Sequence, residues 1–322
     1  MSFRSILSGI VGLGSGCGLT YYLLKRDNSA GSISNPPIGS NISLVPNSGS
    51  SDSSLVQLKP KELFKYGFPG PIHDIEDRYQ YISCYNRQTR NPYWVLEHIT
   101  PESLALRNGD RKNSFFKEDE RIPEMFRAKL KDYFGSGYDR GHQVPAADAK
   151  FSQNSMDQTF YLTNISPQVG VGFNRDYWSH FEYFCRQLTQ KYNNVRIITG
   201  PLFLPKKDEK DGKFRVTYEV IGNPPNVSVP THFFKLIVAE NPKQNPTSDK
   251  VSVAAFVLPN EPIPNETKIT DFEVPVNALE RSTGLELLKN LPENKTVPLC
   301  KEVKCQLVIR EFNNSVKSLP PK

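Results

Sequence analysis

Apolar and polar positions alternate in short runs along most of the chain, a period-two pattern that predicts strands more often than helices. Runs rich in β-branched and aromatic residues fall at Tyr79–Tyr85, Tyr93–Ile99, Val195–Thr199, Phe214–Ile221, Thr231–Val238 and Val251–Leu258. Helical patterns are fewer, over Pro123–Tyr133, where the proline suits a first turn, Arg175–Tyr192 and Ala278–Leu291. Asp211-Gly212, between charged residues and a strand, predicts a hairpin turn. The acidic residues around it, Asp208, Glu209 and Asp211, lack the alternating oxygen ligands and closing glutamate of a calcium loop. Strands interleaved irregularly with helices predict an α+β domain with a mainly antiparallel sheet and flanking helices.

The N-terminal pattern is different. Residues 6–24 carry no charge over 19 positions, follow Arg4 and are closed by Lys25 and Arg26. At about 1.5 Å per residue such a helix roughly spans a bilayer core. Its five glycines weaken a stable span but suit close helix packing. A secretory segment and a mitochondrial targeting-and-anchor segment share these features. Two observations favour the mitochondrion: no acidic residue precedes Asp27, and one of six N-x-S/T sites, Asn164, would carry a glycan into the chemistry argued below. From Asp27 the chain is dominated by Ser, Asn, Gly and Pro and cannot bury enough apolar surface to fold. The expected organisation is a mitochondrial targeting and membrane-anchor segment at 1–26, a tether at 27–58, one domain at 59–312 and a tail at 313–322. It places the domain at the inner membrane, in the intermembrane space.

Composition narrows the class without naming a function. Of 322 residues, 37% are hydrophobic and 23% charged, which excludes collagen-like, wholly disordered and polytopic membrane proteins. Lys and Arg number 40 against 34 Asp and Glu, a net +6 that favours polyanionic partners. The five cysteines are too few and scattered for a disulfide scaffold and include no CxxC pair, so they read as mostly reduced thiols. Cys300 and Cys305, with four residues between them, are the pair that an oxidising intermembrane space could join.

Candidate chemistry concentrates in Phe134–Phe184. Gly135, Gly137 and Gly141 break up the approach to His142, allowing close passage of backbone past a ligand. Asp139-Arg140-Gly141-His142 sets a guanidinium suited to phosphate beside an imidazole suited to proton abstraction near neutral pH. Taken alone, a histidine beside an arginine also fits a structural role. No Gly-Lys-Ser/Thr follows, so this is not a phosphate-cradling P-loop. Asn174 opens the long predicted helix and Glu182 follows eight residues later, about 2.2 turns on, so both approach one face. An amide oxygen with a nearby carboxylate makes a hard oxygen site that leaves most positions of Mg²⁺ to water. An N-cap Asn and a solvent-facing Glu would show the same spacing, and Asp176 is explained by the helix dipole. His73, His98, His180 and His232 lack a partner pattern and read as structural.

The DRGHQVPAAD run, the TNISPQ segment and the FNRDYW helix with its later glutamate together resemble the DNA/RNA non-specific nucleases with a ββα-metal motif. Within that family the chain is similar to the fungal type of its mitochondrial endonuclease G branch, over about Leu63–Phe312. The resemblance implies a ββα-metal site in which His142 is the general base and Asn174 the one direct protein ligand of Mg²⁺, or of Mn²⁺ in its place. It gives Glu182 the waters around the metal, Arg140 the phosphate, and Asn164 and Gln168 a substrate-positioning role. It also implies a homodimer. By the same resemblance the loop VGVGF between Gln168 and Asn174 is one residue longer than in animal and bacterial members, which bears on loop geometry and not on the ligands.

The residues agree with those roles. Hydrolysis of a phosphodiester needs an activated water in line with the leaving oxygen and neutralisation of charge on the phosphoryl group. A histidine, one metal and one arginine suffice for an external water that ignores the sugar. The sequence therefore predicts a Mg²⁺-dependent, sugar-non-specific endonuclease acting on DNA and RNA and leaving 5′-phosphate and 3′-hydroxyl ends. The competing readings are a nucleic-acid-binding or membrane-organising protein with a vestigial nuclease site, and a secreted scavenging nuclease.

Overall fold

A computed structural model of the chain describes residues 63–68 and 74–309. The segments expected at 1–26, 27–58 and 313–322 lie outside the described residues, as do Cys17 and His73. Among the described residues no helix is long and apolar enough to cross a membrane.

Five of the six predicted strands assemble into one sheet because their side chains are apolar on both faces. Strands β1 (Asp74–Asp77), β2 (Tyr81–Asn86) and β3 (Asn91–Ile99) form an antiparallel meander. A two-stranded ribbon follows, β4 (Tyr138–His142) with β5 (Ile165–Val169), and leads into helix α1 (Trp178–Leu188). The chain then returns to the sheet as β6 (Tyr192–Leu202), β7 (His232–Pro242), β8 (Val251–Pro259) and β9 (Glu273–Val274). After helix α2 (Val276–Thr283), β10 (Thr296–Pro298) runs parallel to β8 and opens the short helix α3 (Leu299–Glu302). The order is β1-β2-β3-β6-β7-β8-β9, antiparallel throughout, with β10 added to β8.

Alternation on β7 shows how the layers form. Phe233, Ile237 and Ala239 join Trp178, Phe181 and Leu188 of α1 in one core, while Phe234, Leu236 and Val238 face Leu279, Leu285 and Leu287 in another. A central strand covered on both sides reads as a continuous apolar run. Lys235 is the exception: it is buried on the α1 face, its Nζ donates to Thr199 Oγ1 at 2.8 Å and lies over the Trp178 ring at 4.8 Å.

Several expected elements are shorter or broken. Pro123–Tyr133 is not one helix but two single turns, Glu124–Phe126 and Leu130–Tyr133, because Arg127 and Lys129 are extended and Ala128 N donates to Tyr85 Oη at 3.1 Å. The helix expected over Ala278–Leu291 stops at Thr283, where Gly284 takes a left-handed φ of +72° and caps it. Phe214–Ile221 is not a continuous strand: only Phe214–Arg215 and Val220–Ile221 pair, with Lys206–Lys207 and Val227–Ser228 respectively. The hairpin at Asp211-Gly212 is as expected, with Gly212 at φ +72°, and the carboxylates of Asp208 and Asp211 clamp Arg215 at 3.0 and 2.5 Å.

Cys300 and Cys305 form a disulfide, which corrects the reading of mostly reduced thiols at that pair. The turn of α3 brings their Cα atoms to 5.2 Å, within bridging range. Cys84 and Cys185 are buried thiols.

Candidate active site

The ribbon register places the motif residues. His142 lies opposite Ile165, Gly141 opposite Ser166, and Asp139 opposite Gln168. Beyond Val169 the chain makes a wide helical turn over Gly170–Tyr177, broken at Val171 and Gly172, before α1 begins. Gly172 has φ +83° and packs on Pro262, which a Cβ would approach to 2.6 Å. Its N–H donates to Asp176 Oδ2 at 2.5 Å, so Asp176 caps this turn by a direct bond as well as by charge. Phe173, Tyr177 and Trp178 anchor the turn in the core, leaving Asn174 and Arg175 outward.

His142 is buried, at 7% exposure, and its ring is held between two aromatics: Phe160 at 4.7 Å, edge to face, and Phe116 at 5.3 Å. Each aromatic carries a cation. The Arg140 guanidinium lies 4.3 Å from the Phe116 centroid and that of Arg111 5.4 Å from the Phe160 centroid. Burial, then the charges of Arg111 and Arg140, push the His142 pKa down to about 3, so the imidazole is neutral near pH 7. Its Nε2 is buried and makes no hydrogen bond within the protein.

Asn174 is clasped from the ribbon. Its Nδ2 donates to Asp139 Oδ2 at 2.8 Å, and Arg175 grips the same carboxylate through Nε at 2.7 Å and a second nitrogen at 2.5 Å. Burial raises the Asp139 pKa, but the bonds from Arg175 and Asn174 and the charges of Arg175 and Arg140 outweigh it and hold the carboxyl below its usual range. With the amide nitrogen committed to an ionised carboxylate, the Asn174 Oδ1 is the end turned away from Asp139 and available as an oxygen ligand.

Glu182, half-buried on α1, is pushed up to about 7 by burial, against the opposing charges of Lys235 and Arg186. Arg186, one turn on, pairs with the buried Asp148 at 2.8 Å and so ties α1 to the chain leaving His142. The charge of Arg111 acts on both His142 and Glu182 and thereby links the two halves of the site.

The two residues expected to position substrate, Asn164 and Gln168, are both buried. Asn164 is fully buried and donates to Val144 O at 3.0 Å and Thr159 O at 2.8 Å, while its Oδ1 accepts from Val144 N at 3.0 Å. Both amide hydrogens are used, so Asn164 braces the backbone just after His142. Gln168 lies beneath Gly141, where a Cβ would come 2.0 Å from its Oε1; both polar atoms of its amide are buried without a hydrogen bond. A close neighbour that requires glycine in DRGH is therefore this side chain.

The sequence profile of the DNA/RNA non-specific endonucleases matches residues 59–294. The chain belongs to that family. It is 66% identical to the mitochondrial nuclease of Saccharomyces cerevisiae, over 100% of this chain and 98% of that protein. Human mitochondrial endonuclease G is 42% identical, over 71% of this chain and 74% of that protein. A crystal structure of the EndoG/EndoGI complex aligns with TM-score 0.69 and 44% identity, covering 74% of this chain and 94% of that one. The α+β fold with its antiparallel sheet is thus that of a known endonuclease.

Within this endonuclease two site residues escaped sequence reading, Asp139 as the clasp of Asn174 and Arg111 as the second cation. The signal for Arg111 was present in RNGDRKNSFFK, where basic residues interleave with aromatics, but 31 positions separate it from His142. Of the four histidines read as structural, the structure describes three. His98 Nε2 meets Asn194 Oδ1 at 2.9 Å, His180 is buried, and His232 Nδ1 meets Thr231 Oγ1 at 3.0 Å.

Proposed function

We propose that this endonuclease hydrolyses phosphodiester bonds of both DNA and RNA with a water activated by His142, depends on Mg²⁺, and leaves 5′-phosphate and 3′-hydroxyl ends. The observation that carries the reading is the buried, neutral imidazole whose Nε2 has no partner, flanked through two aromatic rings by Arg140 and Arg111. A neutral imidazole can take a proton from water, and the two guanidiniums supply fixed positive charge for the phosphate.

The donor set fits a hard divalent cation. Among the described residues no group of three or more His, Cys, Asp or Glu could hold a metal. Asn174 Oδ1 is nonetheless oriented by the Asp139 clasp, an arrangement suited to an ion that keeps most of its water, as Mg²⁺ does, with Mn²⁺ as a substitute. When bound, such an ion supplies Lewis-acid stabilisation of the phosphate and the leaving oxygen. Asp139 holds the Asn174 amide in orientation, Glu182 accepts hydrogen bonds from water at the helix side of the site, and Asn164 and Gln168 support the ribbon under His142. None of these groups contacts a sugar 2′-hydroxyl in the reading, so DNA and RNA are both substrates, and grip on phosphate gives little sequence preference.

The mitochondrial names of close relatives and the charge-free N-terminal run support a mitochondrial enzyme, with residues 1–26 as targeting and inner-membrane anchor, 27–58 as tether, and the nuclease domain, 59–312, in the intermembrane space. A homodimer completes the reading. The secreted alternative is weakened at Asn164, which is 0% exposed and closed to a glycan in the folded domain. A short end-labelled DNA duplex and its RNA counterpart, cut with Mg²⁺ and with EDTA, test the chemistry. Cleavage of both with 3′-hydroxyl ends is expected; a 2′,3′-cyclic phosphate or inert DNA would refute it.

A further inference from the structure

The stretch Phe214–Val220 reads F-R-V-T-Y-E-V. It begins and ends in short paired strands, yet among the described residues Val216–Glu219 belong to no strand, and neither turn nor bend interrupts them. The apolar members are exposed at alternate positions: Phe214 47%, Val216 45%, Tyr218 43% and Val220 43%. In an extended chain these four project to one side and Arg215, Thr217 and Glu219 to the other. The arm is held out by its neighbours: Tyr218 rests on the Phe203 ring at 4.8 Å, Arg215 is clamped in the hairpin, and the Glu219 carboxylate lies near enough to the Tyr138 hydroxyl that burial and then this carboxylate raise its pKa.

An exposed extended segment with β-branched and aromatic side chains is a template for strand addition. This one is complementary to itself. Antiparallel pairing about a two-fold axis at Thr217 sets Phe214 opposite Val220, Arg215 opposite Glu219, Val216 opposite Tyr218, and Thr217 opposite its twin. Every pair is of a favourable kind, apolar with apolar, cation with anion, threonine with threonine. A shift of one residue sets Arg215 against Val220 and Val216 against Glu219, so the pattern also selects its register. The ion pairs that Arg215 makes now are exposed and weak, so sharing it with a partner carboxylate costs little. An interface between identical copies repeats one surface on both sides, which a self-complementary segment satisfies.

We infer that Phe214–Val220 forms the two-fold interface of a homodimer, two copies pairing antiparallel about Thr217. The inference rests on the homodimer of the proposed function and adds where and how the copies meet. Phe214 and Tyr218 supply the anchoring area, and the Arg215–Glu219 pairs fix the direction.

The test uses the full-length chain in mild detergent, with Cys17→Ser to remove the thiol of the N-terminal segment. Thr217→Cys places two thiols opposite one another across the axis, and mild oxidation should convert most of it to a covalent dimer. Glu209→Cys, on the exposed hairpin turn off the axis, should not cross-link. Arg215→Glu and Glu219→Arg should each raise the dimer dissociation constant at least about tenfold by sedimentation velocity, and the double reversal should restore it. A dimer that persists with no cross-link at position 217 and no charge-reversal rescue would overturn this surface while leaving the homodimer intact. A chain that stays monomeric at every concentration would overturn both.

Discussion

The side-chain amide of Gln168 fills the space that a Cβ on Gly141 would need, coming within 2.0 Å of it through Oε1. One strand of the ribbon thereby sets the residue type of the other, one position before His142. Gly141→Ala should force the ribbon apart, costing about 1–3 kcal/mol by overpacking and at least tenfold in turnover. Gly141→Ala with Gln168→Ala should recover much of both. Thermal melts beside kcat check it; a single variant that melts and turns over as wild type would mean that the ribbon tolerates the contact.

Replacing His142 by alanine removes the base but none of the phosphate-gripping cations. Turnover should fall at least about a hundredfold, since general-base catalysis contributes roughly 10²–10⁴. Binding of a DNA duplex, measured by fluorescence anisotropy without metal, should change little. Wild-type turnover would remove His142 from the mechanism.

The Asp139 clasp predicts a graded series. Asn174→Ala should weaken Mg²⁺ dependence and rate together. Asp139→Ala, which leaves the amide present but unoriented, and Glu182→Ala should each cost about 10- to 100-fold, with partial rescue by excess Mg²⁺. Identical Mg²⁺ titrations for wild type and all three variants would put the metal elsewhere.

The pH dependence has a definite sign. Folded His142 protonates only near pH 3, against an ordinary 6.5, so the active neutral form persists through the mildly acidic range. His142 itself should therefore add no acid limb to kcat/KM in the usual imidazole region, and a limb near 7 should belong to Glu182 and be lost in Glu182→Gln. The unfolded chain binds protons below about pH 6.5 that folded His142, His98 and His232 refuse until about 3 to 4, so stability should fall as pH drops through that window. Denaturant melts from pH 7 to pH 4.5 measure it, and His232→Gln should flatten the slope.

Deleting residues 1–57 should release a soluble, active enzyme, because that segment holds the proposed anchor and tether and no site residue. Fractionation and plasmid cleavage by the truncated chain check both halves. A truncated form that remains on membranes would place the anchor elsewhere.

Local patterning determined much of this protein. Runs such as Val251–Leu258 and Thr231–Val238, apolar on both faces, could be stable only inside a covered sheet, and they became its centre. The order DRGH, TNISPQ, FNRDYW announced the ribbon and helix, because each piece is contiguous and its residue types follow from its own backbone. Pro123–Tyr133 failed as a helix where a distant residue, Tyr85, claimed the Ala128 amide. Likewise Arg111, the Asp139 clasp, the brace at Asn164 and the Gln168 contact beneath Gly141 depend on which residues the strand register and the packed turn bring together. Periodicity reports the neighbours one or two turns away. Contacts between residues tens of positions apart are set only when burial of the two sheet faces fixes every strand in place, and the chemistry of this site is made of such contacts.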